Sequence, residues 1–214
     1  DLTGVQHIVE ALRAYTHEFT NKLHVILGLL QLGENRQAEE YVLRLTKTRA
    51  HSISYISERI QEPSVAALLI GKSYRAAELG IRFVLDPASE LRGDGQYLPA
   101  SSLITILGNL TENAFDALRS APENAQKEVT VSIREGEHGM LLSVDDSGAG
   151  MAAPQLDRIF ERGFSTKGEG RGTGLSLVKE TVDAFGGTIR VESEPGIGSS
   201  FIITLSDAES RAQT

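Results

Sequence analysis

Residues 107–118 read LGNLTENAFDAL, residues 145–151 read DDSGAGM and residues 167–174 read KGEGRGTG. The first stretch lies in an apolar pattern of helical period from Leu98 to Leu118, with Pro99 suited to a first turn. Asn109 and Asn113 stand four residues apart, so their amides share a face, and amide oxygens suit the hard, octahedral Mg²⁺ that travels with nucleotide phosphates. The second stretch follows an apolar strand, where Gly148 and Gly150 permit close backbone approach and Asp146 can accept a hydrogen bond from an adenine amino group. The third opens a helix, so Gly170, Gly172, Thr173 and Gly174 offer backbone N–H groups to phosphates. Lys167 and Arg171 add charge there. Taken singly these are an exposed Asn pair, a tight turn and a Gly-rich loop; in this order they make a strong signal for a nucleotide site.

The surrounding pattern predicts an α/β sandwich with one sheet. Val65 to Leu79 reads as a helix closed by Gly80, and Ile81 to Leu85 as a strand ended by Asp86-Pro87. Val129 to Ile133 and Met140 to Val144 read as strands around the turn Glu135 to Gly139. Leu175 to Phe185 is a helix stopped by Gly186-Gly187, and the strands Thr188 to Val191 and Ser200 to Leu205 flank Pro195-Gly196-Ile197-Gly198.

Upstream of Pro63 the texture is helical. Val5, Ile8, Leu12, Tyr15, Phe19, Leu23, Ile26 and Leu30 make one apolar stripe on a helix over 2–32. Gly33-Glu34-Asn35 breaks it, and Ala38, Tyr41, Leu45, Ile53, Ile56 and Ile60 form a second stripe. A hairpin this thin buries its stripes economically by pairing with a second copy as a four-helix bundle, so a homodimer is expected, with a boundary dividing 1–62 from 63–214. His17 lies nearly opposite the first stripe and therefore faces solvent, with Asn21 and His24 on its side. Glu18 can accept the ring proton of His17 and leave the other nitrogen free to attack. Asn21, one turn on, can position a water or a phosphoryl oxygen.

Composition narrows the partners. No cysteine is present, so disulfides, thiolate nucleophiles and cysteine-ligated metals are excluded. A net charge of −8 opposes a general grip on nucleic acid, and no apolar run approaches bilayer-spanning length. The chain starts at Asp1 inside a helical pattern, which reads as a fragment of a longer protein.

Several segments carry a family resemblance. LGNLTENAFDAL resembles the N box of histidine kinases, DDSGAGM the G1 box, RIFERGF at 158–164 the F box with Phe160 and Phe164, and GRGTGLSLV at 170–178 the G2 box. Gly196-Ile197-Gly198-Ser199 is similar to the last Gly motif, with Ser where Thr is usual. HEFTNKLH at 17–24 resembles the phosphoacceptor box of bacterial citrate and C4-dicarboxylate sensor kinases. The resemblance implies a fold of the histidine kinase, gyrase and Hsp90 type, use of ATP with Mg²⁺, and autophosphorylation of His17 with Glu18 as base. It further implies that Asn113 ligates Mg²⁺, that Asp146 reads adenine, and that Asn21 helps dephosphorylate a partner response regulator. The sensor itself would be membrane-anchored, with this portion in the cytoplasm. Two alternatives stay open on the residues: a docking module that no longer binds nucleotide, opposed by Asn113, Asp146 and the glycines, and a hydrolysing ATPase, opposed by Asn109 standing where such enzymes place a catalytic Glu.

Overall fold

Alternation of apolar and polar residues sets the sheet. The computed structural model describes residues 20–46, 51–93, 96–119, 121, 125–164 and 173–206. His17, Glu18, Lys167, Gly170, Arg171 and Gly172 lie outside the described residues. The chain divides into two compact units, Asp1–Ala50 and His51–Thr214.

In the first unit, helix α1 is described over 20–31 and α2 runs Asn35–Thr46. Their connection is a Schellman turn: Gly33 adopts φ 75°, Glu34 N donates to Leu29 O at 2.9 Å, and Gly33 N donates to Leu30 O at 3.0 Å. These bonds satisfy the carbonyls that a helix end leaves orphaned, and the αL residue costs a glycine nothing. Leu23, Leu27 and Leu30, spaced four and three apart on α1, are each about half exposed within the single chain.

The second unit begins with α3 (His51–Arg59), α4 (Pro63–Glu78) and β1 (Arg82–Leu85). It continues through α5 (Ala100–Arg119), β2 (Glu128–Glu135), β3 (Gly139–Asp146), α6 (Ala153–Leu156), α7 (Gly174–Ala184), β4 (Thr188–Glu194) and β5 (Gly198–Ser206). The expected second helix of the hairpin is described as the two segments α2 and α3; after α3, Ile60 makes an isolated parallel bridge to Leu91. Helix α4 starts two residues earlier than its apolar pattern predicts. Glu62 caps it, its carboxylate accepting from Val65 N at 2.7 Å, and Pro63 occupies the first turn, where its missing N–H costs nothing.

The strands lie in the order β1-β2-β3-β5-β4, with β1 and β2 parallel and the other pairs antiparallel. The β1-α5-β2 crossover supplies the parallel pair, and β2-β3 and β4-β5 are hairpins. Val129, Val131 and Ile133 of β2, Met140, Leu142 and Val144 of β3, and Phe201, Ile203 and Leu205 of β5 alternate onto one buried face. Helices α4, α5 and α7 cover it, α5 in the middle touching both neighbours. The buried stripe of α5 runs through Leu103, Ile106, Leu107, Leu110, Ala114, Phe115 and Leu118, at the three-and-four spacing that puts side chains on one side of a helix. Phe115 meets Phe83 edge-to-face at 6.4 Å between ring centroids.

Candidate functional site

Asn109, Asn113 and Ala117 recur every fourth residue and so share one face of α5. Two backbone segments close on that face. A Cβ added at Gly148, in the loop after β3, would lie 2.9 Å from the Ala117 Cβ, and one added at Gly174, at the start of α7, would lie 2.8 Å from Asn109 Oδ1. Asn109 is held between its own helix and α7, since its amide nitrogen donates to Thr105 O at 2.7 Å. Asn113 stands between the two close approaches. Its Nδ2 is buried with no hydrogen-bond partner. A buried amide donor left unpaired costs free energy, roughly 1–3 kcal/mol, so such a group is usually waiting for a ligand or water.

Across the site, Asp146 ends β3. Its Oδ1 accepts from Gly148 N at 2.8 Å, which fixes the carboxylate against the turn. Ser147 closes the strand end: it accepts from Glu128 N at 2.9 Å and donates to Gln126 O at 2.8 Å. Gly150 has φ 66°, and a Cβ there would fall 1.9 Å from Glu194 O, so no other residue fits without moving the backbone. The tip of the β4-β5 hairpin thus rests directly on the loop 147–151, and Gly196 N donates to Ala149 O at 2.7 Å.

After the short helix α6, Ile159 is buried and Phe160 and Phe164 are half-buried against the core. The Arg158 guanidinium lies 4.6 Å from the centre of the Phe164 ring. Arg162 makes a two-pronged ion pair with Glu180 of α7, at 2.8 and 2.9 Å. Hydrogen bonding to Arg162 holds the Glu180 carboxyl below its ordinary range, and the same contact raises the Arg162 guanidinium. Thr173 caps α7 by position without a side-chain cap bond; its carbonyl accepts from Leu177 N and from Ser176 Oγ.

The structure therefore gathers Asn109, Asn113, Asp146, Gly148, Gly150 and Gly174 around one face of α5 and the loop after β3. Asn21, in the first unit, is exposed on α1 beside the equally exposed His24. Sequence reading missed Ser193, whose hydroxyl accepts from Met151 N at 2.8 Å, and the Arg162–Glu180 pair. The inward alternation of β4, which buries Ile189 and Val191 in part, was the available signal for Ser193; a pair eighteen residues apart had none.

The residues fit a nucleotide and its cation. Among the described residues no group of three or more His, Asp or Glu gathers to hold a metal by itself, so a cation here would rest on the Asn113 amide oxygen and on phosphate oxygens. Among the described residues, too, no helix is long and apolar enough to cross a membrane.

Residues 99–209 match the family described as histidine kinase-, DNA gyrase B- and HSP90-like ATPases, and residues 2–58 match the SpoOB-type sensor kinase α-helical domain. The catalytic domain of histidine kinase ThkA superposes with a TM-score of 0.53 at 23% identity, over 67% of this chain and 90% of that one. A mycobacterial sensor histidine kinase, MprB, superposes with a TM-score of 0.50 at 23% identity, over 67% of this chain and 92% of that one. At that identity the likeness speaks for the fold. The sequence is 43% identical to sensor histidine kinase DcuS of Escherichia coli strain K12 over 205 residues, 95% of this chain and 37% of that protein. It is 41% identical to sensor protein CitS of Halalkalibacterium halodurans, over 99% of this chain and 39% of that protein, and 35% identical to a probable C4-dicarboxylate sensor kinase of Bacillus subtilis, over 96% and 38%. The chain thus spans between 37% and 39% of the length of these relatives.

The chain belongs to the histidine kinase-, DNA gyrase B- and HSP90-like ATPases and, within them, to the sensor histidine kinases of the citrate and C4-dicarboxylate group. Within its α/β unit, residues 99–209 are the part that matches this ATPase family.

Proposed function

We propose that this chain transfers the γ-phosphoryl group of ATP to His17 and passes it to an aspartate of a cognate response regulator. The carrying observation is the buried, unpartnered Asn113 amide on the α5 face, between the loop that fixes Asp146 and the start of α7. In this reading Asp146 and the glycines Gly148 and Gly150 shape the base end of the site. Asn109 braces Gly174; Lys167, Gly170, Arg171, Gly172 and Thr173 would supply contacts to the phosphates, and Phe160, packed on the core, would belong to the same nucleotide site. Asn113 would hold Mg²⁺ by its amide oxygen and offer its N–H groups to phosphate, and the cation would neutralise charge on the phosphates.

A ring nitrogen of His17 attacks the γ-phosphorus, the bond to the ADP oxygen breaks, and Glu18 takes the proton from the other ring nitrogen. Positioning and charge neutralisation carry such a transfer, since its transition state is loose and asks little covalent help from the protein. The phosphoramidate then loses its phosphoryl group to the regulator carboxylate. In a separate phosphatase reaction Asn21 orients a water that attacks the phosphorus of the regulator's aspartyl phosphate, so that the bond to the carboxylate oxygen breaks and inorganic phosphate leaves.

Residues 1–62 would form the dimerising phosphotransfer hairpin and 63–214 the ATP-binding domain. The half-exposed leucines of α1 support a homodimer, relatives named as probable C4-dicarboxylate sensor kinases support a sensor of a small dicarboxylate, and the whole sensor would be membrane-anchored. The test is incubation with Mg²⁺ and labelled ATP. Label should appear on wild-type chain, survive alkali and leave in acid, as a phosphoramidate does, and His17→Gln should carry none. Acid-stable label, or equal labelling of the variant, overturns the assignment.

A further inference from the structure

The β4-β5 hairpin does more than brace the loop after β3. In the sheet register Asp146 pairs with Ser199, and Ser199 pairs with Ser193, so the three stand in a row across β3, β5 and β4. Directly paired residues share a face of the sheet. The face is the covered one, since Val144 and Phe201, two residues along from Asp146 and Ser199, are buried. Ser199 is itself buried, at 8% exposure, in the middle of the row.

Ser193 Oγ has three neighbours: Met151 N at 2.8 Å, Gly198 O at 2.9 Å and Ser199 Oγ at 3.0 Å. A hydroxyl carries one proton and two lone pairs. Met151 N–H fills one lone pair. Gly198 O has no proton to give, and two oxygens at 2.9 Å repel unless a proton lies between them, so the Ser193 proton is committed to that carbonyl. The second lone pair of Ser193 is then open to Ser199, which must be the donor of their shared bond. Ser199 consequently turns its proton away from Asp146 and shows lone pairs toward that end of the row.

We infer that Ser193 is a positioning residue that sets base selectivity: by taking the Ser199 proton it leaves Asp146 and Ser199 as acceptors toward the purine 6-substituent, where a 6-amino group can donate to them and a 6-keto oxygen cannot. This rests on the reading of the site as an adenine nucleotide site. Removing the Ser193 hydroxyl frees the Ser199 proton, which can then turn outward and donate to a 6-keto oxygen.

The experiment is calorimetric titration of the chain with ATP and with ITP, both with Mg²⁺, for wild type, Ser193→Ala, Ser193→Thr and Ser199→Ala. Wild type should prefer ATP. Ser193→Ala should narrow the ATP-to-ITP affinity ratio by about five- to tenfold, the worth of one hydrogen bond, with ITP gaining part of the change. Ser193→Thr, which keeps the hydroxyl, should restore the ratio. A Ser193→Ala chain that folds, binds ATP and keeps the wild-type ratio overturns the inference, as does equal binding of ATP and ITP by wild type. Should Ser193→Ala fail to fold, Ser199→Ala decides: a preserved ratio overturns the inference, and a narrowed one supports it. Absence of ATP binding by folded wild type is a different failure and removes the nucleotide-site reading itself.

Discussion

The helical unit and the α/β unit dispose of their apolar surface in opposite ways. In the α/β unit the large side chains of α5 are sealed between sheet and flanking helices, with Ile106, Leu107 and Leu118 at 0% exposure. On α1 the equivalent periodic positions Leu23, Leu27 and Leu30 keep 48%, 52% and 50% of their surface in water. Both segments have the same kind of sequence, an apolar residue every three or four positions. What differs is whether the chain supplies the partner surface. The α/β unit covers the α5 stripe within one copy, whereas the α1 stripe stays open in the single chain, which is the physical content of the proposed homodimer.

That contrast can be broken directly. Phe115→Ala empties a fully buried site against Phe83 and should cost the α/β unit about 3–5 kcal/mol, read as a fall in its denaturation midpoint. The oligomeric state at low temperature should not change. Leu27→Glu should do the reverse: sedimentation should show dissociation of the dimer, at a cost of about 2 kcal/mol or more per dimer from two copies of lost burial and introduced charge. The α/β melting transition should stay in place. If Leu27→Glu melts the α/β unit or leaves the dimer intact, the exposed stripe is not the interface.

A smaller effect separates the chemistry of the two units. Asn21→Ala deletes one exposed amide of α1, in the first unit. Autophosphorylation should stay within about twofold, while stimulated decay of a phosphorylated regulator, followed with ADP present, should slow about tenfold, the loss of one water-orienting hydrogen bond in the transition state. Equal loss of both activities would make Asn21 a general part of the hairpin surface and remove the division of labour.

Legibility in the sequence followed the same physics. Long periodic elements could be read: the helix expected over 98–118 is α5, Ala100–Arg119, and each expected strand is present. Strand ends could not. Glu128, Arg134 and Glu135 extend β2 through ladder pairing with β1 and β3, which polarity hides. Helix α6 is four residues long and cannot display a period of 3.6. The Glu62 cap escaped notice because Glu seldom caps. At the candidate site, Asn113, Asp146 and the glycines stood out because the proposed phosphate, cation and base would each demand a residue type at a fixed spacing. Ser193 was not, because its role depends on where protons sit across three paired strands.

The smallest expected effect belongs to the Arg162–Glu180 pair, and it probes how firmly the phosphate side of the site is tied to α7. The geometry is good, two parallel hydrogen bonds of 2.8 and 2.9 Å, but both side chains are exposed, at 77% and 48%. Solvent and salt screen such a pair, so its contribution is modest. The sign with pH is fixed by the shifts. Glu180 titrates lower when folded than when unfolded, so what it contributes is present above its ordinary pKa and disappears as pH falls through the depressed value. Arg162 is raised, so its contribution is present everywhere below the ordinary guanidinium pKa and does not vary across the working range. Arg162→Gln should therefore lower the melting midpoint slightly at neutral pH in low salt, and the gap to wild type should shrink in about 1 M salt. It should also close in acid, as pH falls through the depressed Glu180 value and the carboxylate is lost. A gap that persists at low pH would mean that Arg162 acts through packing of its stem on α7, independent of the charge pair.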